Sequence, residues 1–354
     1  METTIDEALQ ILQNTGPEFG VGFSNHGPMA SEAIIMLGRS DRVLPWAVSY
    51  RKRLREHPAA RNPIDSVNWR EALGQFECCG DWVVFFQNEL KENSWQATIQ
   101  KWVPILAPGM MAGGTHGIIR TGHAVRTLTS GENVLRLSEL AEGLAYWASS
   151  FHPLPGRRIR GSGHERPKSA IEKVPIVPRD ELGKYRLIEE SMQALEFVDF
   201  APVVNNINVT GDANRFISEL TEMTAGCYLA NATHIGHAIT FIHTVTAPSM
   251  LRLLLPYINA EDHDAILSYV WQTAMGLYSV SGQDGRFTGC DHVEDTHDEL
   301  IDRAVHTKDE HAVKFAEACL REYSLNPKPI YLAATSHASR LIGKEPVSPA
   351  IARC

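Results

Sequence analysis

The sequence predicts an all-α protein, a single multi-helix globular domain with a buried metal site in its helical core. Three observations carry that expectation. Apolar residues recur at helical rather than alternating spacing, no βαβ rhythm appears, and histidines interrupt otherwise apolar helix faces.

The helices can be taken in order. Ile5, Ala8, Leu9 and Leu12 mark a short amphipathic helix. Pro28 opens a second through Ala33, Ile34 and Leu37, which Gly38 closes, with Pro at the first turn and Gly at the exit. Leu44, Ala47, Val48, Tyr50 and Leu54 continue the pattern. Longer helices are expected over 81–93, 94–106, 114–128 and 134–151. Between 152 and 178 the periodicity collapses under Pro153, Pro155, Gly156, Gly161, Gly163, Pro167, Pro175 and Pro178. That stretch reads as an irregular, basic Pro/Gly-rich loop on one domain spanning 1–354. Helices resume over 180–195, 214–229, 237–258, 262–278, 293–305, 308–323 and 329–341.

Composition narrows the function. A net charge of −9 argues against a nucleic-acid partner, which needs clustered Lys and Arg. Arg157, Arg158 and Arg160 read as a solvated loop. No apolar run approaches the roughly 20 residues of a membrane span, so no membrane partner is expected. The acidic start at Met1 to Glu7 is not a secretory signal. Six cysteines without a CxxC pair fit a reducing compartment, and a cytoplasmic location is expected.

Common catalytic signatures are missing. No HExxH occurs, and a di-iron bundle needs two Glu-x-x-His motifs where only Glu294 to His297 is present. His297-Asp298 is a lone HD pair. Gly20-Val21-Gly22 and Gly161-Ser162-Gly163 lack the third glycine of a dinucleotide loop, and neither a Walker A loop nor a GxSxG elbow is found.

Histidine remains, with 15 in the chain, and the placement of four is informative. His26 precedes the Pro28 helix, and His116 follows Gly113-Gly114 on a face shared with Arg120, His123 and Thr127. His243 shares a narrow stripe of small residues with Gly236, Thr240 and Ala247. His311 and Lys314 stand three apart and project together. Singly these read as turn, cap, core and exposed-pair residues. Together, four neutral imidazoles from separate helices can converge as metal ligands.

Five segments resemble the questin oxidase-like family, in order from about residue 20 to 325. They are Phe23-Ser24-Asn25-His26-Gly27-Pro28-Met29-Ala30, His116-Gly117-Ile118-Ile119-Arg120, the run from Glu139 to Trp147, Phe241-Ile242-His243-Thr244-Val245-Thr246, and Asp309-Glu310-His311-Ala312-Val313-Lys314. The resemblance implies oxidation of an aromatic polyketide, with opening of an anthraquinone ring, in secondary metabolism. It further implies a non-haem Fe(II) centre of four histidines and a carboxylated lysine, which fall on His26, His116, His243, His311 and Lys314. A carbamate on Lys314 would supply the anionic oxygen that a His-rich site lacks, and burial beside a cation favours the neutral amine it forms from.

The implied reactants are O2 and a small aromatic substrate, with NADPH or another external reductant, or a reductase partner, for a quinone needing prior reduction. Fungal relatives have His where this chain has Arg120 and Tyr where it has His123. Those two residues are the catalytic candidates, either touching a phenolate or carbonyl oxygen or orienting ligands. Trp46, Tyr50, Trp82, Tyr146 and Trp147 are candidates for sandwiching flat rings, with core packing as the other reading. Two alternative functions stand beside this one: an NADPH-dependent Baeyer–Villiger-type monooxygenase, and a non-catalytic helical polyketide-binding protein.

Overall fold

The computed structural model describes residues 3–183, 185–282, 286–290 and 292–344. Among them lie sixteen α-helices and one two-stranded sheet, so the protein is mostly helical as the periodicity predicts. The chain clusters into two compact units. One comprises Met1–Pro153 with Leu253–His263, the other Leu154–Arg252 with Asp264–Cys354.

In the first unit the Val134–Ser149 helix packs against both His116–Thr129 and Cys79–Glu92. The contact is close because Gly117 faces Trp147: a Cβ there would sit 2.8 Å from the tryptophan's own Cβ. Ile118, Ile119, Val125, Leu140 and Leu144 are buried in this packing, and each contributes roughly 1.5–3 kcal/mol by leaving water. Gly27–Met36 lies against His116–Thr129, and also against Thr4–Leu12 and Val43–Arg51. A small hairpin that strand periodicity did not reveal, Glu18–Phe19 paired antiparallel with Phe23–Ser24, turns through Gly20 and Gly22, both at positive φ.

The helix expected over 114–128 begins instead at His116. Gly113, Gly114 and Thr115 have φ of 56, 62 and 75°, left-handed values that no α-helix contains.

In the second unit Pro329–Gly343 packs against Glu310–Leu325, Ala213–Asn231 and His297–His306. Side-chain caps set several starts. Asp212 accepts from the Asn214 N–H at 2.8 Å, and Asp309 accepts from the His311 N–H at 2.8 Å. The helix expected from 293 begins at His297, because Thr296 and Glu299 form a reciprocal capping box. The helix expected over 180–195 is largely not formed. Its helical part is Ile188–Ser191 with a 3-10 turn over Met192–Phe197. The Glu190 carboxylate accepts from the N–H groups of Arg186 and Leu187 and starts the helix there; Lys184 lies outside the described residues. The 152–178 stretch is irregular as expected, apart from single turns at Pro167–Ala170 and Ile171–Lys173.

One helical stretch among the described residues, Ile235–Tyr257, is long and apolar enough to cross a membrane, contrary to the sequence reading. Of its most apolar 18-residue window 89% is buried within the protein, so that apolar surface is already covered by core packing.

Candidate functional site

In the first unit His26 and His116 come together, with ring centroids 4.4 Å apart and planes tilted by 59°. Both are buried. His26 sits at the N-terminus of Gly27–Met36, and its backbone N–H donates to the Tyr50 hydroxyl at 2.9 Å. His116 opens its helix and places Nδ1 2.6 Å from the Gly113 carbonyl. A carbonyl can only accept, so Nδ1 carries the proton and the lone pair is on Nε2. The Gly113 position depends on its lack of a side chain: a Cβ would lie 2.4 Å from the Tyr146 hydroxyl.

In the second unit His243 and His311 face one another with centroids 5.8 Å apart at 70°. His243 Nδ1 is 2.6 Å from the Ile239 carbonyl one turn back, which again leaves the lone pair on Nε2. Burial, then the nearby His311 and Lys314 charges, hold the His243 pKa well below that of an ordinary histidine, so the ring is neutral. His311 Nδ1 lies 3.3 Å from Asp309 Oδ1. Burial alone would raise the Asp309 carboxyl, but the His311 contact and two backbone N–H groups outweigh it and hold the pKa at about 2. Lys314, 2% exposed, has its pKa lowered by burial to about 7, although Glu310 and Asp309 pull the other way. Its amine is therefore part neutral near pH 7.

The two candidate catalytic residues, both buried, are each bound to a carboxylate that the sequence reading did not single out. Arg120 Nε and Nη2 donate to Glu139 Oε1 and Oε2 at 2.6 and 2.8 Å. Burial opposes the charge on Arg120, but the attraction of Glu139 outweighs it and raises the pKa. His123 Nδ1 lies 2.7 Å from Glu32 Oε2, and Arg126 donates to both Glu32 oxygens at 2.5 Å. Burial would raise the Glu32 carboxyl, yet Arg126 and His123 lower it, so it stays ionised. Glu139 lies within a segment that carries the family resemblance. Glu32 left no such signal, because only packing between Gly27–Met36 and His116–Thr129 brings it to His123.

The five aromatic candidates divide. Trp82 and Trp147 are fully buried, with indole N–H groups donating to the carbonyls of Ala72 and Gly109 at 3.1 and 3.2 Å. Trp82 stacks on Phe86 and meets Trp102 edge-on, in an aromatic core. Tyr146 is buried too, its hydroxyl 2.8 Å from Ser24 Oγ and 3.0 Å from Glu18 Oε1. Trp46 and Tyr50 stack at 4.7 Å, and Tyr50 holds the His26 backbone as described above.

Each unit of this helical protein thus holds a pair of histidines, the second beside a lysine whose pKa burial lowers. The questin oxidase-like family model matches residues 23–319, and the chain belongs to that family. Membership suggests an oxygenase acting on anthraquinone-type substrates. Among curated proteins no sequence matches the chain.

Proposed function

We propose that the protein is a cytoplasmic non-haem iron oxygenase that uses O2 to oxidise and cleave a ring of an anthraquinone-like aromatic polyketide. In this reading His26, His116, His243, His311 and Lys314 hold one Fe(II). The observation that carries it is the state of the imidazoles. His116 and His243 each spend Nδ1–H on a backbone carbonyl, which turns the lone pair of Nε2 outward as a metal donor. His26 and His311 lie against them ring to ring.

The donor set suits the ion. Neutral imidazoles and one anionic oxygen are a fitting environment for Fe(II). Lys314 supplies the oxygen once its neutral amine adds CO2 to give a carbamate and release a proton. The lowered Lys314 pKa favours that addition at neutral pH. Bound iron supplies the activation of O2.

The protein's own groups prepare the substrate. Glu32 fixes the Nδ1–H of His123, so Nε2 is the atom that accepts a phenol proton, and Arg126 balances the carboxylate. Loss of that proton makes the ring more electron-rich. A quinone substrate first needs two electrons and two protons from an external reductant, NADPH or a reductase partner.

The test loads the protein with Fe(II) anaerobically, adds oxidised or reduced anthraquinones, then admits 18O2 and reads product masses. The expected result is iron-dependent incorporation of label into a ring-opened product. NADPH-driven oxidation by iron-free protein would favour the Baeyer–Villiger alternative. Tight binding of the aromatic without O2 uptake would leave a binding protein.

A further inference from the structure

A cleft of about 390 Å3 in the first unit contains neither His26 nor His116 among its lining residues. That volume falls within the range of small-molecule sites. Its wall includes the apolar side chains of Leu9, Leu12, Val83 and Val84. It also carries the polar Arg120, Glu139, Glu142 and His57.

Three buried atoms of these residues make no hydrogen bond among the described residues: Arg120 Nη1, a donor, Glu142 Oε2, an acceptor, and His57 Nε2. The last has a carboxylate oxygen of Glu142 as its ion-pair neighbour, which leaves Arg120 Nη1 and Glu142 Oε2 as the unmet donor and acceptor. Every other polar atom of the Arg120 side chain is engaged by Glu139. Glu142 Oε2 lies 3.9 Å from Arg120 Nη2, and Glu142 Oε1 lies 3.0 Å from His57 Nε2. Burying an unmet donor and an unmet acceptor is costly. Such atoms on one cleft wall are what a ligand edge would satisfy.

The charges select the ligand. Arg120 pairs with Glu139 and His57 with Glu142, two basic groups against two carboxylates. An anion would add a third negative charge among buried carboxylates, and a cation would oppose Arg120. A neutral ligand meets neither penalty. It must present an acceptor to Nη1 and a donor to Oε2, while an apolar body rests on the leucines and valines.

We propose that this cleft is a second binding site, separate from the histidines, for a neutral aryl carboxamide. The amide carbonyl accepts from Arg120 Nη1, the amide N–H donates to Glu142 Oε2, and the flat ring lies against Leu9, Leu12, Val83 and Val84. The site is independent of iron, so it stands or falls apart from the oxygenase reading.

The test is calorimetric titration of the full chain, iron-free and iron-loaded, with benzamide and with benzoate as probes. Benzamide is expected to bind in both forms, and benzoate at least tenfold more weakly. Val84→Trp fills the cleft from a half-exposed helix position, and is expected to abolish benzamide binding with the melting temperature unchanged. Glu142→Gln, titrated at about pH 5 so that His57 is protonated without its carboxylate partner, leaves one positive charge in excess, and is expected to reverse the preference toward benzoate. A merely structural glutamate would not reverse it. The proposal is overturned by absence of benzamide binding, by equal binding to Val84→Trp, or by a preference that Glu142→Gln leaves unaltered.

Discussion

Replacing Lys314 by methionine should make the metal-free protein more stable at neutral pH, although it removes a charged residue. Burial lowers the Lys314 pKa from 10.5 to about 7 in the folded state. A depressed folded value means that the unfolded chain binds the proton more tightly. Stability is therefore greatest above the unfolded value and is lost as pH falls to the folded one. Each pH unit in that window is worth about 1.4 kcal/mol. Between about pH 9.5 and 6.5 the wild-type chain should lose about 3 kcal/mol through this one group. Methionine, similar in length and apolar, carries no such dependence. At about pH 6.5 Lys314→Met should be the more stable by up to about 5 kcal/mol. Urea denaturation of chelator-treated protein across that range is the assay, with the difference between the two chains isolating Lys314 from other titrating groups. Parallel profiles for the two chains would refute the reasoning, since they would mean that the amine is solvated and keeps its ordinary pKa.

Two further outcomes follow from the buried charges of the first unit. Arg120→Met strands the buried Glu139 carboxylate, whose pKa burial already raises, and should cost about 3–5 kcal/mol in urea denaturation. Adding Glu139→Gln should recover part of that loss, whereas a cost below about 1 kcal/mol would place the pair in the class of surface ion pairs. The His57 pKa is raised, chiefly by its contact with Glu142, so its stabilisation is full below the unfolded value of about 6.5 and is lost as pH rises through the folded value. His57→Gln should therefore lower the melting temperature more at about pH 5.5 than at about pH 9, and an equal loss at both would contradict the assignment.

Helix periodicity made most of the fold legible. Residues such as Leu9, Ile34 and Ala47, which define the apolar faces, are ones the structure buries. The reading failed where a local hydrogen bond overrides the pattern. Glu190 turns the chain into a helix only at Ile188, and three left-handed residues delay the His116 helix by one residue pair. The hairpin at Phe19 and Phe23 is too short to show any alternation. At the candidate site, the sequence order brought out His26, His116, His243, His311 and Lys314. It could not reveal the Gly113 and Ile239 carbonyls that set the tautomers of His116 and His243, because backbone acceptors have no sequence signature. Nor could it pair Arg120 with Glu139 or His123 with Glu32, residues joined only by helix packing.

The central claim is that His26, His116, His243, His311 and Lys314 are ligands of iron. Anaerobic Fe(II) loading followed by metal analysis tests it most directly, using the wild-type chain, His116→Ala and His243→Ala. The account predicts one tightly held iron per wild-type chain and its loss in both variants. Iron retained in full by either variant, or half lost from each, would contradict it.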